Sequence, residues 1–169
     1  MNRSLPVLLI IFLPFFKIGF AQDLTQSFGR ETLKGIETIS VSIAKINPEA
    51  RTYFLNQDAL KTAVELRLRK ADIKVMESGP LDLETGDPYL HVDLQIKPIE
   101  KIDLYSLAIN VELHQLVRLT RDRSNITIAP TWSRRGIGDV GKSRLEDVKS
   151  AVLNYVDEFI NEFLSVNQN

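Results

Sequence analysis

The chain has 169 residues, with 21 Lys and Arg against 22 Asp and Glu and a formal net charge of −1. So even a balance provides no electrostatic footprint for nucleic acid or an anionic membrane surface. There is no cysteine, which excludes disulfides, thiol nucleophiles and acylation of an N-terminal cysteine, and leaves stability to an apolar core.

Residues 1–21 read as a signal peptide. Asn2 and Arg3 open it, and Leu5 to Phe16 is apolar apart from Pro6 and Pro14. Gly19 and Ala21 then place small residues just before Gln22, the layout of a secretory signal cleaved after Ala21. The run is shorter than the roughly 20 apolar residues of a membrane span, so no span is expected after cleavage. An uncleaved N-terminal anchor is the alternative. Removing those 21 residues, Arg3 and Lys17 among them, leaves 148 residues with 19 basic and 22 acidic groups, a net charge of −3. A cysteine-free exported chain fits a bacterial periplasm, or secretion if the source lacks an outer membrane.

Residues 22–35 are polar and without a sustained period, which reads as a loose leader to a single domain spanning 36–166. From Ile36 to Ile46 the chain alternates, with Ile39, Val41 and Ile43 on one face of a strand that Asn47-Pro48 ends. Asn56 then reads as a helix N-cap, with Leu55 and Leu60 at the spacing of a hydrophobic staple. Leu60, Ala63, Val64, Leu68 and Ala71 line one face of that helix. Asp72 stands where a C-terminal glycine is favoured, and Ile73 to Met76 reads as a short returning strand.

After a loop from Ser78 to Pro88, Tyr89 to Lys97 alternates. Leu90, Val92, Leu94 and Ile96 point inward, His91, Asp93, Gln95 and Lys97 point outward, and Pro98 closes the strand. A long strand follows with Leu107, Ile109, Val111, Leu113, Val117 and Leu119 inward, and Ser106, Ala108, Asn110, Glu112, His114 and Arg118 outward. Arg121 to Asn125 reads as a turn, and Ile126 to Ser133 as a strand with Ile126, Ile128 and Trp132 on one face. Short connections predict an antiparallel meander. Ser143 and Glu146 have capping-box spacing, and Leu145, Val148, Val152, Tyr155, Val156, Phe159, Phe163 and Leu164 form the stripe of a long final helix. The expected fold is α+β: a two-layer sandwich in the order β-α-β-β-β-β-α, its mainly antiparallel sheet carrying two amphipathic helices on one face.

Two groups of residues invite a chemical reading. Gly136-Ile137-Gly138-Asp139-Val140-Gly141 matches G-x-G-x-x-G. A dinucleotide site also needs a parallel strand after the next helix and an acidic residue at its end, whereas this chain stops. The segment therefore reads as a flexible glycine loop, with Arg134, Arg135, Gly136, Gly138 and Lys142 as candidates for generic anion binding at a helix start. The outward residues His91, Asp93, Gln95, Asn110, Glu112 and His114 are candidates for an exposed contact face. Two histidines with Asp93 could in principle hold a metal, but a solvated polar sheet face is the better reading. No catalytic, metal-binding or cofactor-binding residue is assigned and no cofactor is expected.

The segments Val64-Glu65-Leu66-Arg67-Leu68-Arg69-Lys70-Ala71, Pro88-Tyr89-Leu90-His91-Val92, Val111-Glu112-Leu113-His114-Gln115, Thr131-Trp132-Ser133 and Val156-Asp157-Glu158-Phe159 together resemble a family of small exported bacterial proteins of unassigned function. The resemblance covers Ile36 to Leu164, and Asp72 departs from the glycine of that family. The element order is similar to the α+β N-terminal domain of the periplasmic translocation protein TolB. Fold does not fix function. The expected role is a non-catalytic exported domain that contacts another cell-envelope protein. A small-molecule or lipid-binding protein with a sheet–helix cleft is the alternative, and a metal-dependent hydrolase using His91, Asp93 and His114 is the third reading.

Overall fold

The computed structural model describes residues 29–46, 56–76 and 86–167. The expected signal peptide, the Asn47-Pro48 strand end, the Leu55 half of the staple and the 78–85 part of the loop lie outside these residues.

Alternation builds the first strand. In β1 (Thr38–Ile43) every second residue is β-branched and buried, namely Ile39, Val41 and Ile43. Helix α1 (Gln57–Lys70) starts as its sequence dictates, with Asn56 Oδ1 accepting the Asp58 backbone N–H at 2.9 Å. It buries Leu60, Val64 and Leu68 and ends on three basic residues that suit its negative pole. Asp72 then adopts φ = +59°, the left-handed conformation that glycine takes at least cost. That turn carries Ile73 into the core and leads to β2 (Lys74–Val75), which pairs with β1 in parallel.

The remaining strands are β3 (Tyr89–Ile99), β4 (Leu104–Leu119) and β5 (Asp122–Gly141), in a five-stranded sheet ordered β2-β1-β3-β4-β5. The β3-β4-β5 meander is antiparallel as expected, while β1 is parallel to both its neighbours, so the sheet is mixed. Pro98 does not close β3. It pairs with Tyr105, and the strand continues to Ile99.

Strand β5 corrects the sequence reading in three ways. It begins at Asp122 rather than Ile126, because the turn shrinks to Thr120-Arg121. It runs on through Gly136–Gly141, so the supposed glycine loop is strand. The third correction is a register shift. Leu113 faces Trp132 but His114 faces Pro130, leaving Thr131 as the extra residue of a bulge. One extra residue reverses the alternation, so Trp132 is buried beside the helices while Ile126 and Ile128 pair with the outward Arg118 and Leu116. The expectation that the three share a face is therefore wrong.

A 3₁₀ turn (Lys142–Arg144) precedes α2 (Asp147–Asn167). Ser143 lies inside that turn, so the anticipated capping box does not form. Arg144 Nε instead donates to Asp147 Oδ2 across the junction at 2.7 Å. Helix α2 buries Val148, Val152, Val156, Phe159, Ile160 and Phe163. With α1 it covers one sheet face, in the two-layer α+β arrangement expected. Trp132 packs edge-on to Phe159 at 5.1 Å, and Arg67 bridges α1 to Asp157 of α2 at 2.6 Å. Leu33, in the stretch read as leader, is fully buried. Asn167 holds it there, its Nδ2 donating to the Leu33 carbonyl (2.9 Å) and its Oδ1 accepting the Gly35 N–H (2.8 Å).

Candidate functional site

The helices leave the other face of the sheet without a covering layer among the described residues. Period-two alternation puts Ser42 of β1, Tyr89, His91, Asp93 and Gln95 of β3, Asn110, Glu112 and His114 of β4, and Ser133 and Arg135 of β5 on that face. The cross-strand pairs Ser42↔His91, Tyr89↔His114, His91↔Glu112, Asp93↔Asn110, Glu112↔Ser133 and Asn110↔Arg135 fix their positions.

These side chains form a connected cluster. The His114 ring stacks on Tyr89 with centroids 4.9 Å apart and meets His91 nearly edge-on at 5.6 Å. His114 Nε2 lies 3.1 Å from Glu112 Oε2, and Arg135 Nη2 donates to Glu112 Oε1 at 2.7 Å. His91 Nδ1 lies 3.3 Å from Ser42 Oγ. Beside them Gln95 Nε2 donates to Asp93 Oδ1 at 2.8 Å.

The surroundings set the charges. Burial lowers the His91 pKa below its ordinary value, and the neighbouring His114 lowers it further against the pull of Asp93 and Glu112. Burial acts to raise the Glu112 pKa, but hydrogen bonds from Arg135 and His114 outweigh it and hold the carboxyl below its ordinary range. Burial, then the Glu112 charge, raises the Tyr89 phenol. The face thus carries an ionised carboxylate between two donors, beside an imidazole that resists protonation.

Of the six sequence-predicted contact residues, the structure joins His91, Glu112 and His114, and sets Asp93, Gln95 and Asn110 next to them on the same face. Sequence reasoning missed Tyr89, Ser42 and the place of Arg135 in this cluster. Tyr89 was legible as the residue two before His91. Arg135 was not, because its face depends on the bulge.

Ser42 and His91 are a hydroxyl–imidazole pair, yet among the described residues no carboxylate bonds the other ring nitrogen as a nucleophilic triad requires. Nor is any group of three or more His, Asp or Glu side chains there placed to hold a metal.

The anion-loop candidates do not converge. Arg134 points under the sheet, where it donates to Glu158 (3.0 Å) and Glu162 of α2 and lies 5.1 Å above the Trp132 ring. Trp132 Nε1 donates to the same Glu162 at 2.8 Å. Arg135, one residue on, is on the opposite face. Gly136 packs against Tyr155, Gly138 has open space around it, and Lys142 sits in the 3₁₀ turn. Near the bulge, Gly29, Pro130, Thr131, Trp132, Ser133, Arg134 and Arg135 line a shallow groove of about 240 Å³. No described helix is long and apolar enough to cross a membrane.

No protein-family model matches the chain. No curated protein matches it. Among solved structures it is similar to a point variant of PelC, a dodecamer, from Paraburkholderia phytofirmans, with 17% identity and a TM-score of 0.42 over 77% of this chain and 89% of that one. It is also similar to a hypothetical protein from Chlamydia trachomatis (9% identity, TM-score 0.38, 76% of this chain, 93% of that one). A third is a homologue of neuraminyllactose-binding hemagglutinin from Helicobacter pylori (9% identity, TM-score 0.35, 80% of this chain, 85% of that one). All three are bacterial proteins, and likenesses this distant carry no argument about activity.

Proposed function

We propose that this protein is an exported, non-catalytic bacterial domain that binds another cell-envelope protein with the open face of its sheet. The observation that supports this reading is the cluster Tyr89, His91, Glu112, His114 and Arg135. Its Tyr89 ring and Arg135 guanidinium are side chains of the kind enriched in protein interfaces. They stand on three hydrogen-bonded strands and brace one another, so little rotamer freedom remains to be lost on binding. Glu112 enters any interface already paired with Arg135 and His114, which limits its desolvation cost. Export rests on the signal-like residues 1–21.

Site-specific photo-crosslinking in the native host tests the reading. A photoreactive residue at Gln95 or Asn110, on the open face, is expected to give discrete adducts with an envelope protein. The same residue at Asn154, exposed on α2, is expected to give none. Adducts from α2 and not from the sheet face would overturn the assignment. A protein found wholly in the cytoplasm on fractionation would overturn the export half.

A further inference from the structure

Strand β5 lies at the edge of the sheet, and its final third is a regular stretch with an unpaired outer edge among the described residues. Its side chains Arg135, Ile137 and Asp139 share the open face, opposite Asn110, Ala108 and Ser106 of β4. Ile137 is 90% exposed, the most exposed large apolar side chain among the described residues. Such an edge is a template for another strand unless something blocks it. The devices that blunt edges, Pro130 and the Thr131 bulge, lie in the earlier part of β5, and residues 132–141 are regular.

The direction of the free backbone groups follows from one bond. Lys142 N–H donates to the Asp103 carbonyl at 3.0 Å, in register with the ladder that pairs Gly141 with Leu104. Backbone groups alternate along an antiparallel strand. Residues 136, 138 and 140 therefore aim at β4, while 135, 137, 139 and 141 aim at the outer edge.

We propose that two copies of this chain associate through these edges as an antiparallel, two-fold dimer centred on Ile137. In that register Ile137 faces Ile137 of the second copy, and both exchange hydrogen bonds through outward-aimed groups. Arg135 of each copy faces Asp139 of the other, twice by symmetry, with opposite charges directly across the strands. The charges also reject the neighbouring registers. Centring on Arg135 sets arginine against arginine, and centring on Asp139 sets aspartate against aspartate. Centring on Gly136 or Gly138 keeps outward-aimed groups opposite one another, but sets Ile137 against Arg135 or Asp139 and loses both opposite-charge pairs. Arg135 already bonds Glu112, and its side chain is 64% exposed, which leaves the guanidinium edge for a second carboxylate. Asp139 has no ion-pair partner among the described residues. Pairing joins the two open faces into one continuous sheet surface. So short an edge buries little area, so the dimer is weak and concentration-dependent.

Sedimentation velocity over a concentration series tests the proposal, using the full chain as exported. The wild type is expected to shift from monomer to dimer as concentration rises. Asp139→Arg sets arginine against arginine, and Arg135→Asp sets aspartate against aspartate, so each alone is expected to stay monomeric. An equimolar mixture of the two restores both opposite-charge pairs, and heterodimer is expected to return. Ile137→Pro removes an outward N–H without touching the β4 ladder, and should also abolish association. Thermal melts confirm that each variant is folded. A wild type that stays monomeric throughout, or a mixture no more associated than its components, overturns the proposal.

Discussion

Gly136 and Gly138 share one motif but should respond oppositely to alanine. An ideal Cβ on Gly136 would lie 2.1 Å from Tyr155 Oη and 3.0 Å from Cζ. The first distance is one no side chain tolerates and the second is tight, so the Tyr155 ring has to swing away from β5. Tyr155 is partly buried against the core, which makes the movement costly. Overpacking of this kind costs about 1–3 kcal/mol. Part is returned because alanine has less backbone freedom to lose than glycine, about 0.5–1 kcal/mol. Gly136→Ala should therefore destabilise by about 1–2 kcal/mol, a fall of roughly 3–7 °C in melting temperature for a domain this size. A Cβ on Gly138 meets nothing within 4 Å, and no positive φ is recorded there. Gly138→Ala should be neutral or slightly stabilising. The assay is thermal and urea unfolding of both variants, with Gly136→Ala repeated on a Tyr155→Ala background. Removing the ring should erase most of the Gly136→Ala cost, a coupling that a double-mutant cycle reads directly. Equal effects at the two glycines, or no coupling to Tyr155, would refute the reasoning.

Val111 is fully buried and its neighbour Asn110 lies on the open face. Val111→Asp should cost roughly 3–5 kcal/mol through an unpaired buried carboxylate, and Asn110→Asp should melt within a few degrees of wild type. Ser143→Ala should leave helix α2 intact, because Ser143 sits in the 3₁₀ turn rather than at a helix cap; circular dichroism checks it. Acid should weaken the fold in two stages. The His91 pKa is lowered, so the unfolded chain binds that proton more readily, and stability falls as pH drops below about 6.5. The Glu112 pKa is also lowered, so its contribution is present above about 4.5 and is lost as pH falls through its folded value. Denaturation midpoints against pH check both stages, and His91→Gln should remove only the upper one. Intact-mass measurement of exported protein should show a chain beginning at Gln22.

Much of the core was legible because alternation and helical spacing report burial directly. Leu90, Val92, Leu94 and Ile96 of β3 and Val148, Val152, Val156, Phe159 and Phe163 of α2 are buried where their periods put them. The Asn56 cap and the strained Asp72 were legible for a different reason. Both answer a local demand of the backbone that tertiary packing does not change. Glycine and serine signals misled where tertiary pairing decided the outcome. Gly136-Ile137-Gly138 looks like a loop in isolation, yet the β4 ladder supplies a hydrogen-bonded partner and holds it extended. Ser143-x-x-Glu146 has the right spacing for a cap, but the chain leaves β5 through a 3₁₀ turn and the α-helix starts four residues later.

The candidate face was half legible, and the missing half turns on one residue. Within a strand, sequence parity alone groups Tyr89 with His91 and Asp93, and Asn110 with Glu112 and His114. Which strand lies beside which, and in what register, is a property of the pairing. Thr131 makes this acute. Without an extra residue there, Trp132 would stay in phase with Ile126, Ile128 and Pro130, on the open face. Arg134 would go with them, and Arg135 would turn toward the helices, away from Glu112. The bulge rotates the rest of β5 by one position, so that the indole reaches Phe159 and Glu162, Arg134 reaches Glu158, and Arg135 closes on Glu112. It also puts Ile137 and Asp139, which share the Arg135 face by parity, on the open side of the sheet opposite Ala108 and Ser106. Pro130 is the only local hint, since proline within a sheet is confined to edges and bulges. Core packing through Trp132, the paired charges of the open face and the self-complementary edge of β5 thus depend together on the phase that Thr131 imposes.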